Sequence, residues 1–454
     1  MNSERKYFGT DGMRGVAGRH PLTAPFVMQL GAGLAELLRP ASGHARFLVG
    51  TDTRVSGTML AQAMLAGLAS RGADAVFLGV VPTPAVAYLT GQLDAAAGIV
   101  ISASHNPYED NGVKIFGPGG TKLPDSLERQ IEGFLDGAAP LNDVTHDAIG
   151  RISNHTDDGD TYFRFLLEHA PFLDGLKVGL DCANGAASEV APRVFRQIGA
   201  RLDLMGAEPD GVNINDGCGS THPHRLQERV RTSGLDAGVA FDGDADRAVL
   251  VDARGRLVTG DHMLGILAVA REEKEVVATV MTNLGLEKFL AGCGITLHRT
   301  DVGDRHVGAE LRRRGLTLGG EQSGHMLLLD RAPTGDGILT ALQVLTAVRQ
   351  SGVSLEEWVD RIPVFPQLLT NVAVPDGTRH AVVQHPDLVA AVAAAAERLG
   401  DAGRVNVRPS GTEALVRVMV EAEDEDTVGT VSTELADVVR RVSEEAGEPQ
   451  KKLP

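Results

Sequence analysis

Phe47-Leu48-Val49-Gly50-Thr51-Asp52 is an apolar run that stops on Gly, Thr and Asp, and a helical pattern follows from about Gly57 to Ser70. A short apolar strand, a turn and then a helix of period near 3.6 is the unit of a mostly parallel α/β layer. Val178-Gly179-Leu180-Asp181 repeats the Val-Gly-x-Asp pattern before a helix that begins near Ser188. A weaker copy runs from Val276 to Thr282, turns at Asn283-Leu284-Gly285 and enters another helical pattern. Three related α/β domains are expected. After about Pro366 the pattern changes to a strand near Leu368 to Val374, an Ala-rich helix around Asp387 to Leu399, two strands and a final amphipathic helix, which reads as a smaller α+β domain. The polar run from Ser153 to Asp160, the turn region near Gly260 and Val364 to Pro366 are the expected boundaries. They divide the chain into residues 1–155, 156–258, 259–366 and 367–454. The stretch from about Glu444 to Pro454 is polar and is expected to fray.

The 454 residues exceed what one hydrophobic core usually supports, which agrees with several domains. With 43 Lys+Arg against 60 Asp+Glu the formal charge is −17, so the chain repels polyanions in bulk and offers no basic tract for nucleic acid. Any anionic ligand must meet a local positive site. No apolar stretch approaches the roughly 20 residues that a membrane helix needs. The opening Met1-Asn2-Ser3-Glu4-Arg5-Lys6 has no apolar region behind its charges, and Cys182, Cys218 and Cys293 lack paired metal-type spacing. A soluble protein of a reducing cytoplasm is expected.

Four stretches carry chemistry. In Gly98-Ile99-Val100-Ile101-Ser102-Ala103-Ser104-His105-Asn106-Pro107 an apolar strand runs into hydroxyl, imidazole and amide groups, at the end of a strand where α/β sheets bind ligands. A serine-hydrolase elbow would need Gly where Ser102 and Asn106 stand. A polar turn fits the same residues. In Ala240-Phe241-Asp242-Gly243-Asp244-Ala245-Asp246-Arg247 three carboxylates alternate, an arrangement that is unfavourable unless a cation neutralises it, and oxygen ligands on a compact loop suit Mg²⁺. An EF-hand would need Gly and Glu where Arg247 and Ala253 stand, and a haloacid-dehalogenase-type phosphatase would carry Thr or Val in place of Asp246, which leaves a solvated acidic turn as the alternative.

Gly319-Gly320-Glu321-Gln322-Ser323-Gly324-His325, if extended, projects Glu321, Ser323 and His325 to one face, a set suited to a polyhydroxylated ligand. A Gly-rich turn is the alternative. Arg408-Pro409-Ser410-Gly411-Thr412-Glu413, with Arg417 beyond, combines hydroxyls, accessible N–H groups and guanidinium in a nest for a phosphate dianion, although Glu413 opposes pure anion binding and a plain turn fits as well.

In this order and with the opening Phe8-Gly9-Thr10-Asp11-Gly12-Met13-Arg14-Gly15, the four stretches resemble the α-D-phosphohexomutases over essentially the whole chain. Gln322 and Asp301-Val302-Gly303-Asp304-Arg305 resemble the glucosamine branch of that family, whereas Ala414 departs from the Pro that relatives commonly carry there. The resemblance implies a phosphoserine enzyme. Ser104 is then the phosphoryl carrier, and its phosphate with Asp242, Asp244 and Asp246 holds Mg²⁺. Arg14, Arg247 and His105 stand near the transferring phosphate, and Lys114 serves proton transfer. Glu321 and Ser323 grip sugar hydroxyls with His325 beside them. Arg408, Ser410, Gly411, Thr412 and Arg417 hold the phosphate that is not reacting.

The implied activity is interconversion of glucosamine 6-phosphate and glucosamine 1-phosphate through a 1,6-bisphosphate, feeding UDP-N-acetylglucosamine and cell-wall synthesis. The four loops are then expected around a central cleft, with movement of the C-terminal domain as its gate. The implied partner is a small sugar phosphate, with no nucleic acid and no membrane, and a homodimer is admitted. A mannose or glucose phosphomutase, an aspartyl-phosphate phosphatase and a non-catalytic sugar-phosphate sensor are the competing readings.

Overall fold

The computed structural model describes residues 6–9, 12–40, 44–137, 144–154, 158–170, 172–410 and 413–447. Two compact units divide the chain: Met1–Thr279 with His298–Asp360, and Val280–Leu297 with Arg361–Pro454. The architecture is α/β with mixed sheets, three related domains and a smaller C-terminal one.

In the first domain six strands stand in the spatial order Met13–Val16, Asp110–Phe116, Ala97–Ile101, Arg46–Thr51, Asp74–Val80 and Ile152–Asn154. The last four are parallel and the first two run against their neighbours. The apolar run that opened the sequence reading is buried on both faces, as a central parallel strand requires. Phe47 and Val49 join one core with Ile99, Leu30 and Leu65, while Leu48 joins the opposite core with Val100, Val86 and Leu89. The alternation of side chains along a strand thus feeds two helical layers.

The second domain repeats the plan with five strands, in the order Leu257–Val258, Ala248–Asp252, Ala237–Phe241, Lys177–Asp181 and Arg201–Met205. The third sheet has the order Thr296–Thr300, Glu275–Thr279, Leu318–Gly320 and Met326–Leu328. Gly260, which the sequence placed in a turn, begins the helix Gly260–Ala270, because Thr259 and His262 form a reciprocal cap at its start.

One local plan recurs. Ala97–Ile101 leads through the Ser104 stretch to an antiparallel return strand, Ala237–Phe241 through the aspartate stretch to another, and Leu318–Gly320 through the Glu321 stretch to a third. Each candidate loop is therefore the hairpin that follows a strand's carboxyl end. Each also contains a residue in the left-handed region: Ser104 (φ +53°), Ala245 (φ +58°) and Gly324 (φ +94°). The Glu321 stretch is a turn and not an extended segment. The Gly324 N–H donates to the Glu321 carbonyl and the Glu321 N–H to that of His325, which folds the chain back at Gly324.

In the second unit Gln367–Ala373, Leu415–Ala422 and Gly403–Pro409 form an antiparallel sheet with Leu415–Ala422 in the centre. The helices Pro386–Leu399 and Glu425–Gly447 cover its apolar face, where Val416, Val418 and Val420 meet Leu388, Leu435 and Val439. The final helix runs through Gly447, past the point at which the sequence suggested fraying, because Val439 and Val442 keep its apolar face on that core. Residues 448–454 of the expected frayed end lie outside the described residues.

The two loops that carry Ser104 and the aspartates meet so closely that a Cβ at Gly243 would stand 2.6 Å from the Ser104 carbonyl oxygen and 2.8 Å from the Asn215 amide. Gly243→Ala is expected to destabilise the protein by about 1–3 kcal/mol, read as a lower urea midpoint. The helical control Gly133→Ala, with nothing within 4 Å of the new methyl, is expected to be neutral or slightly stabilising.

Candidate active site

Ser104 is fully buried, and its hydroxyl donates to Asp242 Oδ2 at 2.6 Å. Its left-handed backbone is held from both ends. The Ser104 N–H donates to Ser102 Oγ at 2.9 Å, and the Ser104 carbonyl accepts from Arg54 Nη2 and Asn215 Nδ2, both at 2.9 Å. Arg54 is a buried guanidinium that also donates to the carbonyls of Asn106 (2.7 Å), Asp110 (3.0 Å) and Pro107. Asp52 supplies its counter-charge at 2.9 Å and accepts the Ser102 hydroxyl at 2.5 Å. Burial pushes the Asp52 carboxyl up, against the opposing pull of Arg54 and Ser102.

Asp242, Asp244 and Asp246 are buried, with one carboxylate oxygen of each within 4.8 Å of the others. Lys114 enters from the return strand Asp110–Phe116 and donates to Asp244 Oδ2 and Asp246 Oδ2, both at 2.8 Å. Thr83 donates to Asp244 Oδ2 at 2.6 Å. Asp244 Oδ1 and Asp246 Oδ1 are buried without a hydrogen-bond partner. One ammonium among three carboxylates and two orphaned oxygens fits a hard divalent cation, whose ligands are oxygens. Burial, then Asp246 and Asp244, drive the Asp242 carboxyl well above the usual range. Burial acts in the same sense on Asp246, but Lys114, His325 and Arg247 overcome it and hold that carboxyl well below.

Around this pair of loops stand His105, Arg247 and Arg14. His105 Nδ1 lies 3.3 Å from Ser104 Oγ and 3.5 Å from Arg247 Nη1, and Arg14 Nη1 donates to Asn106 Oδ1 at 3.4 Å. Burial, then the two arginines, lower the His105 pKa to about 4, so its imidazole is neutral near pH 7. From the third domain, Glu321 Oε1 accepts the Gly303 N–H at 3.1 Å and Ser323 is exposed. His325 is placed differently from these two. Its side chain is 5% exposed and lies between Asp246 Oδ1 at 3.7 Å and Asp304 Oδ2 at 3.6 Å. Burial opposes its protonation, but Asp246, Asp304 and Glu321 raise its pKa to about 9.

In the second unit Arg408 and Arg417 are direct cross-strand partners. Like charges facing each other across a sheet repel, which favours an anion between or beside them. Glu413 partly answers Arg417 at 3.3 Å. Ser410 is buried, and its hydroxyl accepts the Glu413 N–H at 3.3 Å. Gly411 and Thr412, also read as phosphate ligands, lie outside the described residues.

The sequence reading did not single out Arg54, Ser102, Asn215 or Thr83 as functional. The available signal was Asp52 at the end of the repeated Val-Gly-x-Asp strand with Arg54 two residues on, which is the spacing of the buried pair. Arg54→Met leaves Asp52 buried without its counter-charge and releases four carbonyls of the Ser104 loop. A loss of roughly 3–5 kcal/mol is expected, measured by chemical unfolding, with Asp52→Asn in the same chain recovering part of it.

Models of the phosphoglucomutase/phosphomannomutase α/β/α domains I, II and III match residues 5–140, 160–255 and 259–365, and that of the C-terminal domain matches residues 369–438. The phosphoglucosamine mutase of Deinococcus radiodurans is 53% identical over 437 residues, which cover 96% of this chain and 98% of the relative. That of Thermus thermophilus is 50% identical over 442 residues, 97% of this chain and 99% of the relative. Among solved structures, a phosphoglucomutase/phosphomannomutase family protein from Burkholderia thailandensis shares the fold with a TM-score of 0.79 at 24% identity over 98% of each chain. The Aspergillus fumigatus N-acetylphosphoglucosamine mutase, solved with GlcNAc-6P and magnesium, shares it with a TM-score of 0.66 at 18% identity over 96% of each chain. With all four domain models matched in order and half of its residues identical to such relatives over nearly its full length, the chain belongs to the phosphoglucosamine mutase family of the phosphoglucomutase/phosphomannomutase superfamily.

Proposed function

We propose that this chain interconverts glucosamine 6-phosphate and glucosamine 1-phosphate, with Ser104 as the phosphoryl carrier and Mg²⁺ as the cation of the aspartate loop. The observation that carries this reading is the buried Ser104 hydroxyl 2.6 Å from Asp242, the first of three clustered aspartates of which the other two each leave one oxygen without a hydrogen bond. Mg²⁺ held by Asp242, Asp244, Asp246 and the group on Ser104 would neutralise charge on the transferring phosphoryl.

The rest falls to the side chains. Phosphoryl transfer needs in-line positioning and neutralisation of spread charge more than a strong nucleophile. The Arg54 and Asn215 bonds to the Ser104 carbonyl fix the carrier. Arg14 and Arg247 are proposed to balance the transferring phosphoryl group. The Ser104 Oγ–P bond breaks as the bond from phosphorus to the sugar O1 forms, and the proton of the O1 hydroxyl ends on Ser104 Oγ, with the Lys114 ammonium proposed to relay it by giving a proton to the serine oxygen and taking one from the sugar hydroxyl. Glu321 and Ser323 are proposed to orient the sugar with His325 beside them, and Arg408, Ser410, Gly411, Thr412 and Arg417 to hold a phosphate dianion. The 1,6-bisphosphate turns round, and its 6-phosphoryl returns to Ser104 Oγ. On this reading the partner is a small sugar phosphate and the product feeds UDP-N-acetylglucosamine and cell-wall synthesis in the cytoplasm. Among the described residues no helix is long and apolar enough to cross a membrane.

The kcat/KM for glucosamine 6-phosphate is expected to exceed those for mannose 1-phosphate and glucose 1-phosphate by at least about tenfold, and a tenfold preference for either neutral sugar would contradict the assignment. Chelation by EDTA is expected to abolish turnover and added Mg²⁺ to restore it. Ser104→Ala is expected to be inactive, and the covalent phosphoryl label on the native chain to resist hydroxylamine. A hydroxylamine-labile label would point instead to an aspartyl phosphate.

A further inference from the structure

We propose that Asp304 is a positioning residue for the metal loop, acting through the His325 imidazole and itself held by Lys122. The proposal rests on the mutase reading for its kinetic arm and on geometry for the rest. Asp304 is the first residue of the helix Asp304–Arg314. Its Oδ2 lies 2.6 Å from Lys122 Nζ and 3.6 Å from His325 Nε2, and the other ring nitrogen of His325 faces Asp246 Oδ1 at 3.7 Å. The imidazole therefore bridges a carboxylate of the metal loop and a carboxylate of a different loop, one to each nitrogen.

The ring is closely packed on the Gly335 side. A Cβ at Gly335 would stand 2.2 to 2.5 Å from three of its atoms, so the backbone there lies flat against it. His325 Nε2 and Asp246 Oδ1 are both buried without a hydrogen-bond partner, and each faces its neighbour from just beyond bonding distance. A closure of about half an ångström would complete both bonds.

Lys122 and Lys114 come from the same ribbon. Lys114 lies on the strand Asp110–Phe116, the Gly117 N–H donates to the Thr121 carbonyl at 2.7 Å, and Lys122 bridges back to Phe116. One ribbon of the first domain thus sends an ammonium to Asp246 and a second to Asp304, and His325 of the third domain joins the two carboxylates. Lys114, Asp246, His325, Asp304 and Lys122 close a circuit that fixes the third domain against the metal loop. Gly303 adds a second tie from the same loop, because its N–H holds Glu321. Partners of metal ligands orient them, and their removal typically reduces metal affinity or activity about 10–100-fold.

The test compares Asp304→Asn, Lys122→Met and the double variant in the full chain, by kcat and KM for glucosamine 6-phosphate and by Mg²⁺ affinity from calorimetric titration. Asp304→Asn is expected to lower kcat and weaken Mg²⁺ binding by about tenfold or more, with KM changed less than about threefold. Lys122→Met is expected to act in the same sense, and the double variant to be no worse than Asp304→Asn alone. A raised KM with kcat and Mg²⁺ affinity intact would make Asp304 a sugar ligand and overturn the proposal, as would additive losses or wild-type behaviour. Should Asp304→Asn fail to fold, Lys122→Met, altered at a side chain that is 25% exposed, decides by the same readouts. A native chain without activity on glucosamine 6-phosphate would remove the mutase reading, and the Mg²⁺ titration would still judge Asp304.

Discussion

Three carboxylates on five consecutive residues, all buried, are the constraint on which the rest of this structure depends. Ionised together they repel one another strongly at low dielectric, and desolvation adds to the penalty. Lys114 answers two of them and the Ser104 hydroxyl donates to the third. Such a loop holds its shape only when its surroundings over-determine it. Arg247 donates its backbone N–H to Asp242, Thr83 caps Asp244 from side chain and backbone, and the Gly337 N–H bonds the Ala245 carbonyl. What these contacts leave open, an oxygen of Asp244 and one of Asp246 without a hydrogen bond, is a place where a cation fits.

The fold meets this demand by repetition. Each of the three related domains ends a parallel strand in a hairpin loop and returns along an antiparallel neighbour. Ser104, the aspartates and the Glu321 turn occupy equivalent hairpins that differ in the residues placed there. A left-handed residue in each loop tightens the bend, and for Ser104 a non-glycine conformation of this kind is strained by about 1–2 kcal/mol. Arg54, Asn215 and Ser102 hold it in place. A backbone held in this way fixes the Ser104 hydroxyl in advance, which suits a reaction governed by position.

Much of this was legible in the sequence. Short apolar runs bounded by turn residues, such as Phe47-Leu48-Val49 before Gly50, suit a central strand buried on both faces, so length and turn residues located the sheets. The alternating aspartates were legible because three carboxylates so close together, once buried, repel one another unless positive charge answers them. What was not legible depended on distant approach. Ser104 and Asp242 are 138 positions apart, and nothing local says that they touch. The Asp52 and Arg54 pair looks like ordinary polar loop sequence until Arg54 is found with no exposed side chain. Polarity grouped His325 with Glu321 and Ser323, and nothing local says that its ring lies between Asp246 and Asp304. The alternation rule also failed at Glu321 to His325, where Gly324 turns the chain and removes the common face that an extended segment would have had.

The central claim is that Ser104 carries the phosphoryl group that the aspartate loop is built to neutralise. Intact-mass and phosphopeptide mapping of the purified chain before and after exposure to glucosamine 6-phosphate tests it most directly. The account predicts a single phosphoryl increment confined to the peptide that contains Ser104, whose occupancy changes when the sugar phosphate is added. A phosphoryl group on an aspartate, or an unmodified Ser104 in a chain that turns over glucosamine 6-phosphate, would contradict it.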